Sequence, residues 1–588
     1  MNSPEMTDNP TDRHGGQTVV DILMSHGVRH IFTLCGGHIS PILVAAKESG
    51  IRVIDVRDEA SSVFAADAVS RLSQTTGVAV VTSGPGLTNT ITAVKNSQLA
   101  QSPIILIGGA TATVLKNKGS LQDIDQLALL KPHIKWSATV RYVNELKSKL
   151  EAAFAAAQSG VPGPVFLEIP VDLLYPEQMV REWYKTTSGT KSRGLQDTLF
   201  NSYLRWHLKR LFSKGRQSSK TITFDAGFAP PSPGKLHRVA TLLNKAERPV
   251  MLVGSQAMLS AAKAPAIQEA IRSMGIPTYL SGMARGLLAE DDHFYFRHKR
   301  KLALKESDLV ILAGVPCDFR LNYGRHIPRS ASLVSINRSR HDLRKNRRPD
   351  LGIPADPAEA ILSLAEMSDG NQNREGWINT LRQRDNERRN EIESQAAIDT
   401  GLINPLNLCR EINLHLDNNS ILVADGGDFV ATASYIIQPR SPLSWLDPGV
   451  FGTLGVGGGF ALGAKLCHPE AEVWILYGDG AAGFSLAEFD TFVRHNLPVI
   501  AVVGNDAGWS QIAREQVEML GDEVGTALAY TNYHKVAEGY GGVGLSVQSS
   551  AELPNVLKRA KATVREGKPV LVNALIGKTD FRKGSISM

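Results

Sequence analysis

Cysteine is scarce in this sequence, and long apolar runs are absent. The 588 residues include four cysteines, none in a Cys-x-x-Cys pair: Cys35, Cys317, Cys409 and Cys467. This wide spacing argues against a thiol metal site and indicates a reducing compartment. No stretch of about 18 uninterrupted apolar residues occurs, so the sequence predicts no transmembrane helix. Residues 1–16 are polar and lack the features of a signal peptide or presequence, so we expect an intracellular protein.

Positive charge is concentrated in one segment. Between Arg181 and Lys220, ten lysines and arginines stand against two acidic residues, an excess larger than the net charge of +6 for the whole chain. Nucleic-acid binding would require a basic face on a recognition fold, and no such motif occurs. The sequence therefore predicts no nucleic-acid partner.

The basic segment contains the pattern of an amphipathic helix. Its apolar residues recur at helical spacing, with cations on the other side; they are Leu199, Phe200, Tyr203, Leu204, Leu208, Leu211 and Phe212. A helix of this kind can make a peripheral membrane contact through residues 195–216. It can equally be a linker helix that docks on its own protein, and the sequence leaves both alternatives open.

Alternating apolar runs and helical patterns predict three α/β domains, each a doubly wound parallel sheet. A chain of this length is too long for one core. We place an N-terminal domain at residues 15–180, a central Rossmann-like domain at 236–370 and a C-terminal domain at 401–588. A basic linker (181–235) and a charged helical connector (371–400) separate them. The predicted strands are Ile31–Leu34, Val53–Val56, Val78–Thr82, Ile104–Ile107, Val165–Ile169, Pro249–Gly254, Thr278–Leu280, Leu309–Ala313, Leu333–Ile336, Ser420–Ala424, Glu472–Tyr477, Val499–Val503 and Pro569–Ala574.

Polar residues follow two neighbouring strands of the predicted third sheet. Gly478-Asp479-Gly480 ends one apolar run, and Asn505-Asp506 ends the next. The carboxyl ends of parallel strands share one edge of the sheet, where α/β proteins bind ligands. Oxygen ligands without cysteine or histidine suit Mg²⁺, and phosphates usually complete its octahedron. A lone Gly-Asp-Gly is most often a turn, but this spacing predicts a diphosphate held through a metal.

Several further segments resemble one family. They read TSGPGLTN (82–89), DGGDF (425–429), GTLGVGGG (452–459) and GNDAGWSQI (504–512). Together with Gly-Asp-Gly they resemble the thiamine diphosphate enzymes of the acetolactate synthase and 2-hydroxyacyl-CoA lyase group, over about residues 15–580. The resemblance implies thiamine diphosphate and Mg²⁺ as cofactors. It also implies a homodimer or homotetramer, with each site formed between the first domain of one subunit and the third domain of another.

The resemblance assigns roles to individual residues. Glu59 matches the glutamate that activates the cofactor through its pyrimidine ring, and a surface Asp58-Glu59 pair is the plain alternative. His38 matches a residue that faces the thiazolium, and its alternative is a capping or core histidine. Gln122 matches an active-site glutamine that binds substrate oxygens. The remaining cofactor-binding residues implied are Asn89, Asp428, Phe429, Gly452, Leu454, Gly478, Gly480 and Ala481.

The metal ligands follow the family pattern with one departure. Asp479 is the first ligand, but the family usually has Asn-Asn where this chain has Asn505-Asp506. An ungapped count places Asp506 at the ligand position, and a shift of one residue would present Asn505 instead. The backbone carbonyl of Gly508 or Ala507 would complete the protein ligands.

Two reactions use this apparatus. The lyases cleave a 2-hydroxyacyl-CoA to formyl-CoA and a fatty aldehyde one carbon shorter, as in fatty acid α-oxidation. The synthases join the decarboxylation product of pyruvate to a second 2-oxo acid, and they often hold FAD with a segment of the type LGMHGT, which this chain lacks. Its segment FRHKRKLALKESDLVILAG resembles the lyase pattern, with Arg300 where a CoA or nucleotide phosphate falls. We therefore predict the lyase, with the synthase as alternative and a non-catalytic scaffold as a third.

The resemblance also bears on location. The animal members of the group resemble endoplasmic reticulum membrane proteins with an N-terminal transmembrane helix. The present sequence begins with a polar stretch instead. The endoplasmic reticulum membrane is therefore an expectation from resemblance alone, and the cytoplasm is the alternative.

Overall fold

The structure is a computed structural model that describes residues 14–187, 195–213, 228, 230–369 and 374–584. Its described part contains three six-stranded sheets, and every strand pair in them is parallel. This confirms the predicted fold class of three doubly wound α/β domains. The chain divides into two compact units, residues 1–70 with 75–226, and residues 71–74 with 227–588. Each domain boundary stays a prediction.

The N-terminal domain is built on a sheet with the strand order β2-β1-β3-β4-β6-β5. All side chains of β3, β4 and β6 are buried, which explains their continuous apolar sequences. Its strands are β1 (His30–Thr33), β2 (Arg52–Asp55), β3 (Gly77–Val81), β4 (Ile104–Ala110), β5 (Trp136–Thr139) and β6 (Val165–Pro170). Its helices, with the linker helix α9, are α1 (Gly15–Ser25), α2 (Ser40–Glu48), α3 (Glu59–Ser73), α4 (Pro85–Thr88), α5 (Ile91–Ala100), α6 (Gln126–Leu130), α7 (Leu146–Gln158), α8 (Glu177–Thr187) and α9 (Leu195–Leu211).

The central domain has the strand order β12-β11-β10-β7-β8-β9. The two middle strands, β10 and β7, are entirely buried. The strands are β7 (Pro249–Val253), β8 (Thr278–Leu280), β9 (Tyr295–Phe296), β10 (Leu309–Ala313), β11 (Ser332–Ile336) and β12 (Leu351–Ile353). The helices, with the connector helix α14, are α10 (Pro233–Lys245), α11 (Ala264–Met274), α12 (Arg300–Glu306), α13 (Pro357–Met367) and α14 (Glu375–Ala396).

The C-terminal domain has the strand order β14-β13-β15-β16-β18-β17. Counted within each domain, this is the same order as in the N-terminal sheet. The strands are β13 (Ile421–Asp425), β14 (Trp445–Leu446), β15 (Val473–Gly478), β16 (Ile500–Asn505), β17 (Val543–Val547) and β18 (Val570–Leu575). The helices are α15 (Pro405–His415), α16 (Asp428–Ile436), α17 (Val456–Cys467), α18 (Asp479–Ser485), α19 (Glu488–Arg494), α20 (Ser510–Leu520), α21 (Tyr533–Gly539) and α22 (Leu553–Arg565).

Every predicted strand is present, with ends shifted by a few residues at most. Five observed strands were not predicted, namely β5, β9, β12, β14 and β17. All five lie at an edge of their sheet. In the described residues, no helix is long and apolar enough to cross a membrane.

The linker helix α9 docks on the N-terminal unit through one face. Leu204, Leu208 and Leu211 are buried there, and the first two pack against Val114 and Tyr184. Of the two alternatives that the sequence leaves open, this face of α9 shows the docked helix. A second apolar set, listed with its exposed fractions, remains at the surface: Leu199 (69%), Phe200 (43%), Tyr203 (47%) and Trp206 (55%).

Candidate functional site

The first polar cluster lies at the point where the order of the C-terminal strands reverses. The chain leaves β13 and β15 in opposite directions there, and such a switch point is where open α/β sheets bind ligands. The two loops approach closely, because a Cβ on Gly426 would lie 2.7 Å from the backbone nitrogen of Gly478. Gly426 also has φ +149°, a conformation that favours glycine. The backbone of both loops, and the side chains beside it, therefore lie where a ligand would bind.

Asp479 is fixed by backbone N–H groups at this point. Its Oδ1 accepts from the N–H of Gly480 at 2.7 Å, and its Oδ2 accepts from Gly508 at 3.0 Å. Burial, together with the nearby charge of Asp506, raises the pKa of Asp479 to about 6. Burial also raises the pKa of Asp506. A bound cation would stabilise the charged forms of these two neighbouring carboxylates, of which Asp479 is buried and Asp506 is partly buried.

Asn505 lies at the end of β16, and its side chain hydrogen-bonds to other residues of the same domain. The side chain is fully buried, and its amide nitrogen donates to the carbonyl of Thr531 at 3.1 Å and to Asn573 Oδ1 at 3.2 Å. Its oxygen accepts from the N–H of Ala507 at 3.3 Å. The carbonyl of Ala507 in turn accepts from Leu528 at 2.8 Å. These contacts occupy Asn505 and the Ala507 carbonyl.

The glycine-rich segment 452–459 is anchored by a carboxylate that the sequence analysis did not single out. Asp425 is fully buried, and it accepts from the N–H of Gly455 at 3.1 Å and of Gly457 at 2.7 Å. Burial raises the pKa of Asp425 to about 7. Gly452 and Gly455 have φ of +64° and +90°, so this loop needs glycine at both places. Leu454 lies between them and is half-buried.

Two aromatic rings pack directly on backbone near the ends of β15 and β16. A Cβ on Gly480 would lie 2.4 Å from the indole of Trp509, and one on Gly504 would lie 2.5 Å from the ring of Phe429. Ala481 is also buried beside this contact. Bare backbone is therefore required at Gly480 and Gly504, which explains two glycines of the motifs.

Helix α16 connects this cluster to the central domain. It begins at Asp428, whose carboxylate pairs with Arg514 of α20 at 2.6 Å. At its other end, Arg285 donates to the carbonyl of Ser434 at 2.8 Å, and Arg297 donates to that of Ile437 at 2.9 Å. Cations at the carboxyl end of a helix satisfy carbonyls that lack partners and complement its dipole.

The second polar cluster lies at the corresponding switch point of the N-terminal sheet, between β1 and β3. His38 follows β1, and its Nδ1 is 3.1 Å from Oγ1 of Thr82, which follows β3. A Cβ on Gly36 would lie 2.4 Å from the Thr82 side chain, so the two loops are in contact. Burial lowers the pKa of His38, which favours a neutral imidazole.

Glu59 is the first residue of α3 and is only 6% exposed. Its Oε2 accepts from the side-chain nitrogen of Asn89 at 3.0 Å. A Cβ on Gly86 would lie 3.5 Å from Oε1, so the loop after β3 passes close to the carboxylate. Glu59 is thus a buried carboxyl group, whereas Asp58 beside it is exposed. This geometry disfavours a surface Asp-Glu pair.

Gln122 lies in the segment 111–125 between β4 and α6. Its backbone is in the left-handed region, with φ +64°, which is uncommon for a residue with a side chain. Its carbonyl accepts from Oγ of Ser83 at 2.7 Å. The Cβ that Gly84 lacks would lie 2.9 Å from the Cβ of Gln122. The structure therefore brings His38, Glu59, Asn89 and Gln122 to the loops around β3.

Arg300 belongs to the central domain, where it begins α12. One guanidinium nitrogen donates to the carbonyl of Arg320 at 3.0 Å, so that part of the group is already in use. Arg338 is paired with Asp356, and Arg347 donates to the carbonyl of Pro328 at 3.1 Å. These contacts stabilise the domain itself and leave a phosphate contact at Arg300 as a prediction.

The residues of the C-terminal cluster fit a metal-bound diphosphate. The carboxylates of Asp479 and Asp506 are the oxygen ligands that Mg²⁺ prefers, and a Cβ at Gly426 or Gly480 would collide with neighbouring atoms of the same cluster. Among the described residues, no group of three or more His, Cys, Asp and Glu side chains is arranged to hold a metal. The expected protein ligands, which are the carboxylates of Asp479 and Asp506 and one backbone carbonyl, form a smaller set. Phosphate oxygens of the cofactor would complete the coordination of the metal.

Comparison with known proteins agrees with these clusters. Residues 13–129 match the N-terminal TPP binding domain of thiamine pyrophosphate enzymes, residues 236–364 the central domain, and residues 425–574 the C-terminal TPP binding domain. The 2-hydroxyacyl-CoA lyase 2 of Danio rerio is 50% identical over 99% of this chain and 94% of its own length. The Homo sapiens protein of that name is 49% identical over 99% and 93%.

A more distant relative carries the other activity. The acetolactate synthase large subunit IlvG of Mycobacterium tuberculosis is 32% identical over 96% of this chain and 95% of its own length. The fold and the two clusters define a three-domain α/β enzyme of the thiamine diphosphate class. The chain belongs to the thiamine pyrophosphate enzyme family.

Proposed function

We propose that this protein is a thiamine diphosphate- and Mg²⁺-dependent carbon–carbon lyase. It cleaves a 2-hydroxyacyl-CoA to formyl-CoA and a fatty aldehyde shortened by one carbon, as in fatty acid α-oxidation. The observation that carries this proposal is the 50% identity to a 2-hydroxyacyl-CoA lyase 2 over 99% of the chain. The identity to an acetolactate synthase is much lower, at 32%.

The residues around β3 have roles that suit this cleavage. Thiamine diphosphate, when bound, supplies the electron sink for breaking the carbon–carbon bond. Glu59 holds the pyrimidine edge through its buried carboxyl group, which Asn89 orients at 3.0 Å. His38, kept neutral by burial, accepts the proton of the substrate 2-hydroxyl group. Gln122 donates a hydrogen bond to a substrate oxygen.

For the diphosphate end we propose Asp479 and Asp506 as the side chains that bind Mg²⁺, with the carbonyl of Gly508. Asp506 is preferred to Asn505 because Oδ1 of Asn505, the atom that would bind a metal, already accepts from the N–H of Ala507 at 3.3 Å, and its amide nitrogen is held by Thr531 and Asn573. Gly508 is preferred to Ala507 because the carbonyl of Ala507 accepts from Leu528. Asp428, Phe429, Gly452, Leu454, Gly478, Gly480 and Ala481 line the rest of the proposed cofactor site.

The decisive experiment compares two substrates with the same purified protein. With thiamine diphosphate, Mg²⁺ and a long-chain 2-hydroxyacyl-CoA, we expect an aldehyde one carbon shorter and formyl-CoA. The matched control is Glu59→Gln, which should lose at least about a hundredfold in rate while the fold is kept. Acetolactate from pyruvate without the aldehyde would establish the synthase instead, and no turnover of either substrate would leave the scaffold hypothesis.

We further propose that the protein is a homodimer or homotetramer at the endoplasmic reticulum membrane. The membrane contact would be peripheral and formed by the exposed apolar side of α9, where Leu199 is 69% and Trp206 is 55% exposed. The cations Arg205 and Lys209 on the same helix are also exposed and suit anionic lipid. Retention of the protein in the microsomal fraction of cells is the measurement that tests this location.

A further inference from the structure

The segment 111–125, which carries Gln122, is held by two buried carboxylates, Glu168 in β6 and Asp172 just after β6. At its beginning, Asp172 Oδ2 accepts from the N–H of Thr113 at 3.0 Å and from its hydroxyl at 2.6 Å. The tyrosine hydroxyl of Tyr184 donates to the same oxygen at 2.6 Å. The Thr113 hydroxyl also contacts Nε2 of His207 on α9 at 2.8 Å. The segment thus starts from a fixed point.

Glu168 of β6 holds the segment on both sides of Gln122. Its side chain is 1% exposed, and Oε1 accepts from Lys116 Nζ at 2.8 Å and from Thr139 Oγ1 at 2.9 Å. Its Oε2 accepts from Gln126 Nε2 at 3.0 Å. Lys116 precedes Gln122 along the segment and Gln126 follows it. One carboxylate therefore connects both ends of the stretch that places Gln122 against the loop after β3.

Gln122 needs such support because its own conformation is unfavourable. A residue other than glycine with φ +64° persists only where its surroundings enforce that conformation. The contact with Ser83 fixes the carbonyl of Gln122 at 2.7 Å, but nothing in that contact fixes the chain on either side. The hydrogen bonds from Lys116 and Gln126 to Glu168 fix the chain on both sides of Gln122.

We propose that Lys116 and Glu168 are positioning residues for Gln122. In this role they act by holding the segment 111–125 so that the Gln122 side chain has one orientation. This inference rests on the proposed role of Gln122 in substrate binding. A misplacement of about 1 Å in a group that positions substrate is worth up to about a hundredfold in rate.

The first test is amide hydrogen exchange on the protein without cofactor or substrate. Lys116→Met removes the cation, and because this side chain is 38% exposed the variant should fold. We expect peptides within 111–125 to exchange about tenfold faster in Lys116→Met and in Glu168→Gln. The matched control is Lys135→Met, because Lys135 also anchors backbone, donating to Val161 at 2.8 Å, but lies outside the segment. Unchanged exchange in Lys116→Met would overturn the proposal.

The second test is a double-mutant cycle with Gln122→Ala, read in kcat/KM for the 2-hydroxyacyl-CoA. Lys116→Met alone should lower kcat/KM about ten- to a hundredfold, whereas in the Gln122→Ala background it should lower it little further. Additive losses would mean that Lys116 does not act through Gln122, and the lyase assignment would stand. Full activity of Gln122→Ala would instead refute the role of Gln122, and the positioning role would fall with it.

Discussion

Asp425 shows at the level of one residue how a buried carboxylate can organise a cofactor loop. It accepts from two N–H groups of the segment 452–459, at 3.1 Å and 2.7 Å, and it has no solvent exposure. Hydrogen bonds from N–H groups favour the charged form, but loss of water opposes them and is the larger effect. The result is a pKa of about 7, well above the usual value of an aspartate.

This raised pKa predicts how stability depends on pH. Because the folded state holds the proton more tightly than the unfolded state, the contribution of Asp425 to stability is fully present below about pH 4. It is lost as the pH rises through about 7. In Asp425→Asn this contribution to the pH dependence is absent. Between pH 5 and pH 8 we expect the melting temperature of the wild-type apoprotein to fall relative to that of Asp425→Asn. Calorimetry on both proteins at each pH measures this.

The control for this prediction is Asp522→Asn. Asp522 is an exposed aspartate of the same domain that accepts from the N–H of Val524 at 2.8 Å. Its substitution should leave the wild-type pH dependence in place. If Asp425→Asn and the wild type differ by the same amount at every pH, the buried carboxylate does not titrate in this range.

At the level of an element, α9 has two apolar faces with different environments. Leu204 and Leu208 are 5% exposed and pack on the N-terminal unit, and His207 contacts Thr113 at 2.8 Å. Leu199 and Trp206 point away from these contacts and are more than half exposed. Exposed apolar side chains beside cations are the pattern of a helix that lies on an anionic membrane.

We therefore expect the expressed chain to float with anionic liposomes. The apolar side chains would enter the interface, and each nearby cation would add about 1 kcal/mol of attraction. Replacing Leu199, Tyr203 and Trp206 together by glutamine should abolish flotation without unfolding the helix, because the docked leucines remain. Deleting residues 195–216 should have the same effect on flotation.

A matched control separates membrane binding from mere exposure. Helix α20 and the loop after it carry a comparable apolar set, with Met519 58%, Leu520 77% and Val524 75% exposed. Their replacement by glutamine should leave flotation unchanged. If the triple glutamine variant of α9 floats as well as the wild type, the proposed membrane contact is wrong.

At the level of the whole molecule, the sequence predicted buried strands well and edge strands poorly. Central strands such as β4 and β16 are buried throughout, so their sequences are continuous apolar runs. The unpredicted strands lie at sheet edges, where burial is lower or the strand is short. All four residues of β5 are only half-buried, and β14 has two residues. Lower burial or a very short strand weakens the apolar signal on which the prediction depended.

The candidate site was predictable only where a motif carried it. Gly478, Asp479 and Glu59 could be singled out from short patterns and a family resemblance. Asp425 and Glu168 could not, because their partners are about 30 to 50 residues away along the chain and only the folded sheet brings them together. The shared strand order of the two outer domains, which places both clusters at equivalent switch points, was equally invisible in the sequence.

The two clusters belong to different units, Glu59 to the first and Asp479 to the second. If each site joins the first domain of one subunit to the third domain of another, two inactive variants should complement each other. In a heterodimer of Glu59→Gln and Asp479→Asn, one site carries both substitutions and the other carries neither. Random pairing of two such chains in a symmetric dimer would restore about a quarter of the wild-type lyase activity. If each site is formed within one chain, the co-expressed and randomly paired variants will give no activity, because every site then contains one substitution.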